Sequence, residues 1–272
     1  MFARRSQATP LWLAGFGLLA LLSGCGSSSK NPAAPVTGPA WRAQQLGFDG
    51  NGIWGSSAAN VFAVGTAGTI LHNSGGGWSP QASPTRASLL AVWGSSATDV
   101  FAVGSAGTIL HSGGGTWSAQ TSGTTEDLYA VWGSSATDVY AVGHDGTIVH
   151  TVDGGGTWVT LSSGSLADFF AVGGTASNNV FVVGKGGAIQ RWNGVGWFDQ
   201  VSGTRSYLYG VWATSPTNVV AVGESGAIVR YNGTTWSRQT SGAGTFLYGV
   251  WGSSPTNLFA VGSSGWILHY SP

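Results

Sequence analysis

The chain has 272 residues, with 10 basic and 10 acidic side chains, 46 glycines, 14 tryptophans and one cysteine. Charged residues make up 7 % of it, against roughly 25 % in an ordinary soluble domain. That balance excludes the basic footprint needed for nucleic acid, and a lone cysteine excludes an internal disulfide.

In chain order, the first element is a targeting segment. Arg4 and Arg5 precede the apolar run Leu11 to Leu22, the pattern of a secretory signal. Leu22-Ser23-Gly24-Cys25 resembles a bacterial lipobox. The resemblance implies that residues 1–24 are removed and Cys25 is lipidated. Gly26 after the cysteine implies the outer membrane of a Gram-negative envelope. Residues 25–40 carry the lipidated cysteine and read as a flexible tether rich in Ser, Pro, Ala and Gly. Strands too short to cross a bilayer as helices leave the lipid as the expected membrane contact. Without Arg4 and Arg5, 8 basic and 10 acidic residues remain, a net charge of −2.

Residues 41–272 hold six copies of one unit. Its V-W-G element places Trp54, Trp93, Trp132, the degenerate Gly173, Trp212 and Trp251 at intervals of 39, 39, 41, 39 and 39. A second tryptophan recurs at Trp78, Trp117, Trp158, Trp197 and Trp236. The sixth copy stops before that element, and Trp41-Arg42-Ala43-Gln44 stands upstream of the first. A period near 40 with four strand-like runs per unit predicts an all-β fold, a six-bladed β-propeller of four-stranded blades. The N-terminal strand is expected to complete the last blade. In the second copy the runs are Leu89 to Trp93, Val100 to Gly104, Thr108 to His111 and Trp117 to Thr121. The repeat-phased tryptophans read as core. Small residues two before the first tryptophan (Gly52, Ala91, Ala130, Ala171, Gly210, Gly249) fit inner strands crowding an axis.

Thr151-Val152-Asp153-Gly154-Gly155-Gly156-Thr157-Trp158 matches the Asp-box pattern S/T-x-D-x-G-x-T-W. The chain therefore resembles Asp-box (BNR, sialidase-type) propellers and, more loosely, photosystem II assembly-factor propellers. The resemblance implies that Asp153 holds its own turn. Sialidase activity requires an arginine triad, and the variable loops described next hold only Arg86 and Arg205.

Alternation of strands puts the G-S-S-x-T-D and G-G-x-W turns on one end of the cylinder, nearly uniform across copies. The V-G-x-x-G loops and the blade crossings lie on the other end, where copies diverge. Divergence at one end of a repetitive frame is the pattern of a binding surface. Five residues before the first tryptophan position, the blades present Asp49, Ser88, Asp127, Asp168, Tyr207 and Phe246. Glu126, His144, Asp145, Lys185, Arg205, Glu224 and Trp266 belong to the same end. An acidic side on blades three and four faces an aromatic side on blades five and six, fitting a sugar or a cationic group. The expected function is a non-enzymatic envelope module, monomeric, binding a glycan or a protein. The alternative is a glycosidase using Asp127 and Asp168. No cofactor and no metal are expected. The repeat-phase ring His72, His111, His150, Arg191, Arg230 and His269 contains two arginines and reads as turn-bonding. No phosphate loop or Ser-His-Asp constellation is present.

Overall fold

The computed structural model describes residues 47–271. They form six antiparallel sheets in chain order, the blades of a β-propeller. Blade one holds β1 (Gly50–Ser57), β2 (Asn60–Gly65), β3 (Ile70–Asn73) and β4 (Trp78–Pro80). Blade two holds β5 (Leu89–Ser96), β6 (Asp99–Gly104), β7 (Ile109–Ser112) and β8 (Trp117–Gln120). Blade three holds β9 (Leu128–Gly133), β10 (Val139–Gly143), β11 (Ile148–Thr151) and β12 (Val159–Leu161). Blade four holds β13 (Phe169–Ala176), β14 (Asn179–Gly184), β15 (Ile189–Trp192) and β16 (Trp197–Asp199). Blade five holds β17 (Leu208–Ser215), β18 (Asn218–Gly223), β19 (Ile228–Tyr231) and β20 (Trp236–Gln239). Blade six has three described strands, β21 (Leu247–Ser254), β22 (Asn257–Gly262) and β23 (Ile267–Tyr270). The segment around Trp41 assigned to its fourth place, like the signal, Cys25 and the tether, lies outside the described residues.

The third strand of each blade starts one residue later than the sequence suggests, at Ile109 rather than Thr108 in blade two. The reason is local. Ser105 to Gly107 make a 3-10 turn whose middle residue, Ala106, is left-handed (φ 54°), and Thr108 closes the turn with its N–H on the Ser105 carbonyl. The same turn recurs in every blade, with Ala67, Asp145, Gly186, Ser225 and Ser264 at the left-handed position.

Blades are joined by two interlocking tryptophan series. In the first, the V-W-G tryptophan of each of blades one to three lies on the glycine of the next blade. A Cβ on Gly133 would stand 2.4 Å from Cη2 of Trp93, and one on Gly94 2.7 Å from Cη2 of Trp54. Blade four carries Gly173 in place of the tryptophan, and blade five, which therefore receives no ring, carries Ala213 in place of the glycine. In the second series the fourth-strand tryptophan packs edge-on against the second-strand aromatic of the preceding blade. The pairs Phe62/Trp117, Phe101/Trp158, Tyr140/Trp197 and Phe181/Trp236 have centroids 5.9, 6.0, 6.1 and 5.9 Å apart and planes near 80°. Edge-to-face geometry aims the positive ring edge at the partner's negative face, worth about 0.5–1.5 kcal/mol beyond the area buried.

Innermost strands β1/β5, β5/β9, β9/β13, β13/β17 and β17/β21 lie side by side, whereas β21 and β1 make no comparable approach among the described residues. Side chains that close the other junctions are open at this one. Val261 is 40 % exposed against 0 % for Val103, and Ile267 69 % against 1 % for Ile109. Trp251 is 52 % exposed, which corrects its reading as core. Without a first-blade neighbour at contact distance, nothing removes it from water.

At the uniform end the turn-bonding reading of the ring holds at five of its six positions; His72 stacks on Phe62, but its Nε2 is buried without a hydrogen-bond partner. His111 and His150 each stack on the aromatic residue across the sheet and bond a second-strand carboxylate, His111 to Asp99 at 2.7 Å and His150 to Asp138 at 2.6 Å. The carboxylates in turn accept from Ser95 and Ser134. His269 uses Asn257 and Arg191 uses Asn179 in the same way. The turn after β11 is closed by Thr151, whose hydroxyl donates to Asp153 at 2.7 Å and accepts from Gly155 N–H, while Asp153 accepts from Thr157 N–H at 2.9 Å. The Thr151 and Thr157 bonds hold the Asp153 carboxyl below its ordinary range.

Candidate functional site

The other end of the cylinder is built on the residues that open each innermost strand. Alternation sets Leu128, Phe169, Leu208 and Leu247 fully into the blade junctions. It turns their successors, Tyr129, Phe170, Tyr209 and Tyr248, to the opposite side. These four rings form a continuous arc over blades three to six, with centroids 5.9, 5.5 and 5.7 Å apart. Tyr207 touches Phe170 and Tyr209, and Phe246 stacks parallel to Tyr248 at 6.1 Å. In blades one and two the same register holds Asn51, whose amide donates to the Leu89 carbonyl at 2.9 Å, and Leu90. The aromatic surface thus covers four blades and stops.

The sequence reading located Tyr207 and Phe246 but missed Tyr129, Phe170, Tyr209 and Tyr248. Their positions sit inside the L-Y-A-V-W motif and read as ordinary strand formers. The signal was the period-2 alternation itself, which turns that register out of the junctions and toward the axis.

An acidic group flanks the arc at blade three. Glu126 accepts from His144 Nδ1 at 2.7 Å, and His144 Nε2 lies 3.8 Å from Asp168. The Glu126 bond, with the charges of Asp168 and Asp145, raises the imidazole above its ordinary pKa. Burial, then the charges of Asp127, Asp168, Glu126 and Asp145, push Tyr129 up to about 12. Tyr209 is likewise raised to about 12 by burial and by Glu224, and its hydroxyl is buried without a hydrogen-bond partner. Both tyrosines are neutral phenols at physiological pH.

Two of the expected ligand-binding carboxylates do structural work. Asp127 accepts the N–H of left-handed Ala106 at 2.8 Å, and Asp168 accepts that of Asp145 at 3.1 Å, each from the preceding blade's turn. Asp168 also pairs with Lys185 at 3.4 Å. They tie neighbouring blades together, which leaves Glu126, His144 and Asp145 as the more available polar groups. Ligand atoms of His144, Asp145 and Asp168 lie within 4.8 Å of one another, yet Lys185 already neutralises one of the carboxylates. Glu224 accepts from Tyr207 N–H. Asp49 and Arg205 are exposed, Asp49 on blade one away from the arc. Trp266 corrects a further expectation. It is 41 % exposed and makes no ring contact with the arc, because it follows a turn whose neighbouring blade is the distant first one. A cavity of about 720 Å³ is separate again, lying along the rim of blade two between Ala106–Leu110 and Ala119–Thr125, with no charged side chain in its lining.

No protein-family model matches the chain, and no curated protein matches it by sequence. Solved structures do. The chain is similar to one described as YCF48 bound to D1 peptide, with a TM-score of 0.53 and 16 % identity, covering 85 % of this chain and 97 % of that one. It is also similar to the WD40 repeats of RRP9, with a TM-score of 0.69, 12 % identity and coverage of 83 % and 76 %. U3-55K gives the same TM-score at 13 % identity, with coverage of 83 % and 77 %. At these identities the likeness is one of fold, the β-propeller. Among the described residues no helix is long and apolar enough to cross a membrane.

Proposed function

We propose that this propeller is a non-enzymatic binding module whose aromatic arc holds a segment of a protein partner. The observation that carries the reading is the arc itself. Tyr129, Phe170, Tyr209 and Tyr248 offer rigid amphipathic rings on four consecutive blades, the residue type that supplies large contact area at low entropic cost. Glu126 and Asp145 beside Tyr129 favour a basic side chain over that ring. The peptide seen with YCF48 supports a protein partner on this fold. The alternative glycosidase chemistry loses support because Asp127 and Asp168 are engaged by backbone N–H groups of neighbouring turns.

The finer reading is that of an envelope lipoprotein, anchored by a lipid on Cys25, facing its partner as a monomer at the outer membrane. Its Thr151-to-Trp158 turn keeps the resemblance to Asp-box propellers. The test is a peptide array and a glycan array probed in parallel with wild type, Tyr209→Ala and Phe170→Ala. Peptide binding that falls ten- to a hundredfold in both variants, about 1.4–3 kcal/mol, supports the reading. Binding to glycans alone, or turnover of a glycan, overturns it.

A further inference from the structure

The aromatic arc is a curved wall and not a flat strip. Tyr129, Phe170, Tyr209 and Tyr248 stand at one register of four innermost strands, so they step around the propeller axis with centroids 5.9, 5.5 and 5.7 Å apart. In a six-fold ring the axis lies as far from each member as neighbours lie from each other. A group on the axis is then roughly 6 Å from all four centroids, within reach of a cation–π contact. The mouth around the rings is electronegative. Its loops carry six acidic side chains against Arg86, Lys185 and Arg205, and the charges of Asp127, Asp168, Glu126 and Asp145 all act on Tyr129.

What the arc lacks is a hydrogen-bond acceptor. Even its own Tyr209 hydroxyl is buried there without a partner. Asp127 and Asp168 are turned to the N–H groups of Ala106 and Asp145, Glu126 to His144, and Glu224 to Tyr207 N–H. These carboxylates supply a field more than they supply bonds. A primary ammonium entering the arc would exchange water for unpaired N–H groups, a cost set against its attraction. A quaternary ammonium has no N–H to satisfy, keeps the full charge and turns methyl groups to the rings.

We propose that the arc is a cage for a quaternary ammonium group, carried into it by a partner segment as the side chain of a trimethylated lysine. The proposal rests on the protein-binding reading above and narrows it from a segment to one side chain. A lysine stem is unbranched and about four methylenes long. It can carry the charge toward the axis from a segment lying across Tyr207 and Phe246, which precede Tyr209 and Tyr248 on their strands and so stand nearer the end of the cylinder.

The test titrates the full chain with tetramethylammonium chloride, ammonium chloride and tert-butanol, the last matching the methyl bulk without the charge, and follows the aromatic proton resonances. Tetramethylammonium should shift the rings of the arc and saturate, with the other two probes about tenfold weaker or worse. Tyr209→Leu and Phe170→Leu keep apolar bulk and remove a ring, and each should weaken tetramethylammonium about tenfold. The wild-type titrations separate charge from bulk by themselves, so a variant that fails to fold leaves the question decided. Lysine-containing peptides of the array are then offered unmodified and trimethylated, and the trimethylated form should bind about tenfold tighter. Equal binding of the two forms, or ammonium or tert-butanol matching tetramethylammonium, overturns the cage. Choline binding as tightly as the trimethylated peptides overturns lysine as the carrier. If no peptide binds in either form, the protein-binding reading falls together with the lysine carrier, and the tetramethylammonium titration alone decides the cage.

Discussion

The junction between blades two and three and the one between blades six and one are built from nearly the same words. At the first, Phe101, Val103 and Ile109 are sealed beneath Trp158, and Trp93 lies on Gly133. At the second, Val261, Ile267 and Trp251 stand in water to between 40 and 69 %. Burial in a repeat array belongs to the junction and not to the repeat, because each unit supplies half of two interfaces and none of them alone.

Substitutions in matched positions press on that difference. The largest effect is expected from Trp158→Ala, which empties a sealed site and should cost about 3–5 kcal/mol in chemical denaturation. Trp251→Ala should cost about 1 kcal/mol, as for an ordinary point substitution. Equal losses would mean that the sixth and first blades press together in solution. Next, Gly133→Ala drives a methyl group into Trp93 and should cost about 1–3 kcal/mol. The reverse exchange, Ala213→Gly, meets no ring but removes a methyl packed on the core of blades four and five and adds the backbone entropy of glycine, and should cost about 1–2 kcal/mol.

Smaller still are the titrations. Asp153 has a folded pKa below its unfolded one, so its contribution is present above the unfolded value and is lost as pH falls through the folded value. Asp153→Asn should flatten the acid limb of the thermal midpoint against pH, and an unchanged limb would show that the Thr151 and Thr157 bonds do not persist in solution. For His144 the sign is opposite. Its folded pKa is raised, so its contribution is complete below the unfolded value and fades as pH rises through the folded one. Its imidazole resonance should titrate above the ordinary 6.5 or so and fall back in Glu126→Gln. A titration midpoint unmoved by that substitution would remove the Glu126 bond as its cause.

The architecture was legible because strand alternation and the 39-residue period survive in a single sequence, and the two tryptophan series mark the same place in each copy. The uniform end was legible for the same reason, down to His111 on Asp99. Less could be read at the variable end. Asp127 and Asp168 looked like free carboxylates, since the N–H groups they hold lie 21 and 23 residues away in another blade. Tyr129 and Tyr209 looked like filler, since the repeat that reveals a fold hides whichever of its positions faces the axis. The open sixth junction had no signature at all.

Blades four and five are mutually adapted in a way that the other copies are not. Gly173 projects no ring and Ala213 fills the space that this leaves, so the pair has been edited together. Units two and three, each giving an indole and receiving one on glycine, are interchangeable, and a gene that gained or lost one of them would keep every interface it had. Separating the fourth unit from the fifth would bring an indole against Ala213. Expansion or contraction of this array is therefore tolerated on one arc of the ring and penalised on the other.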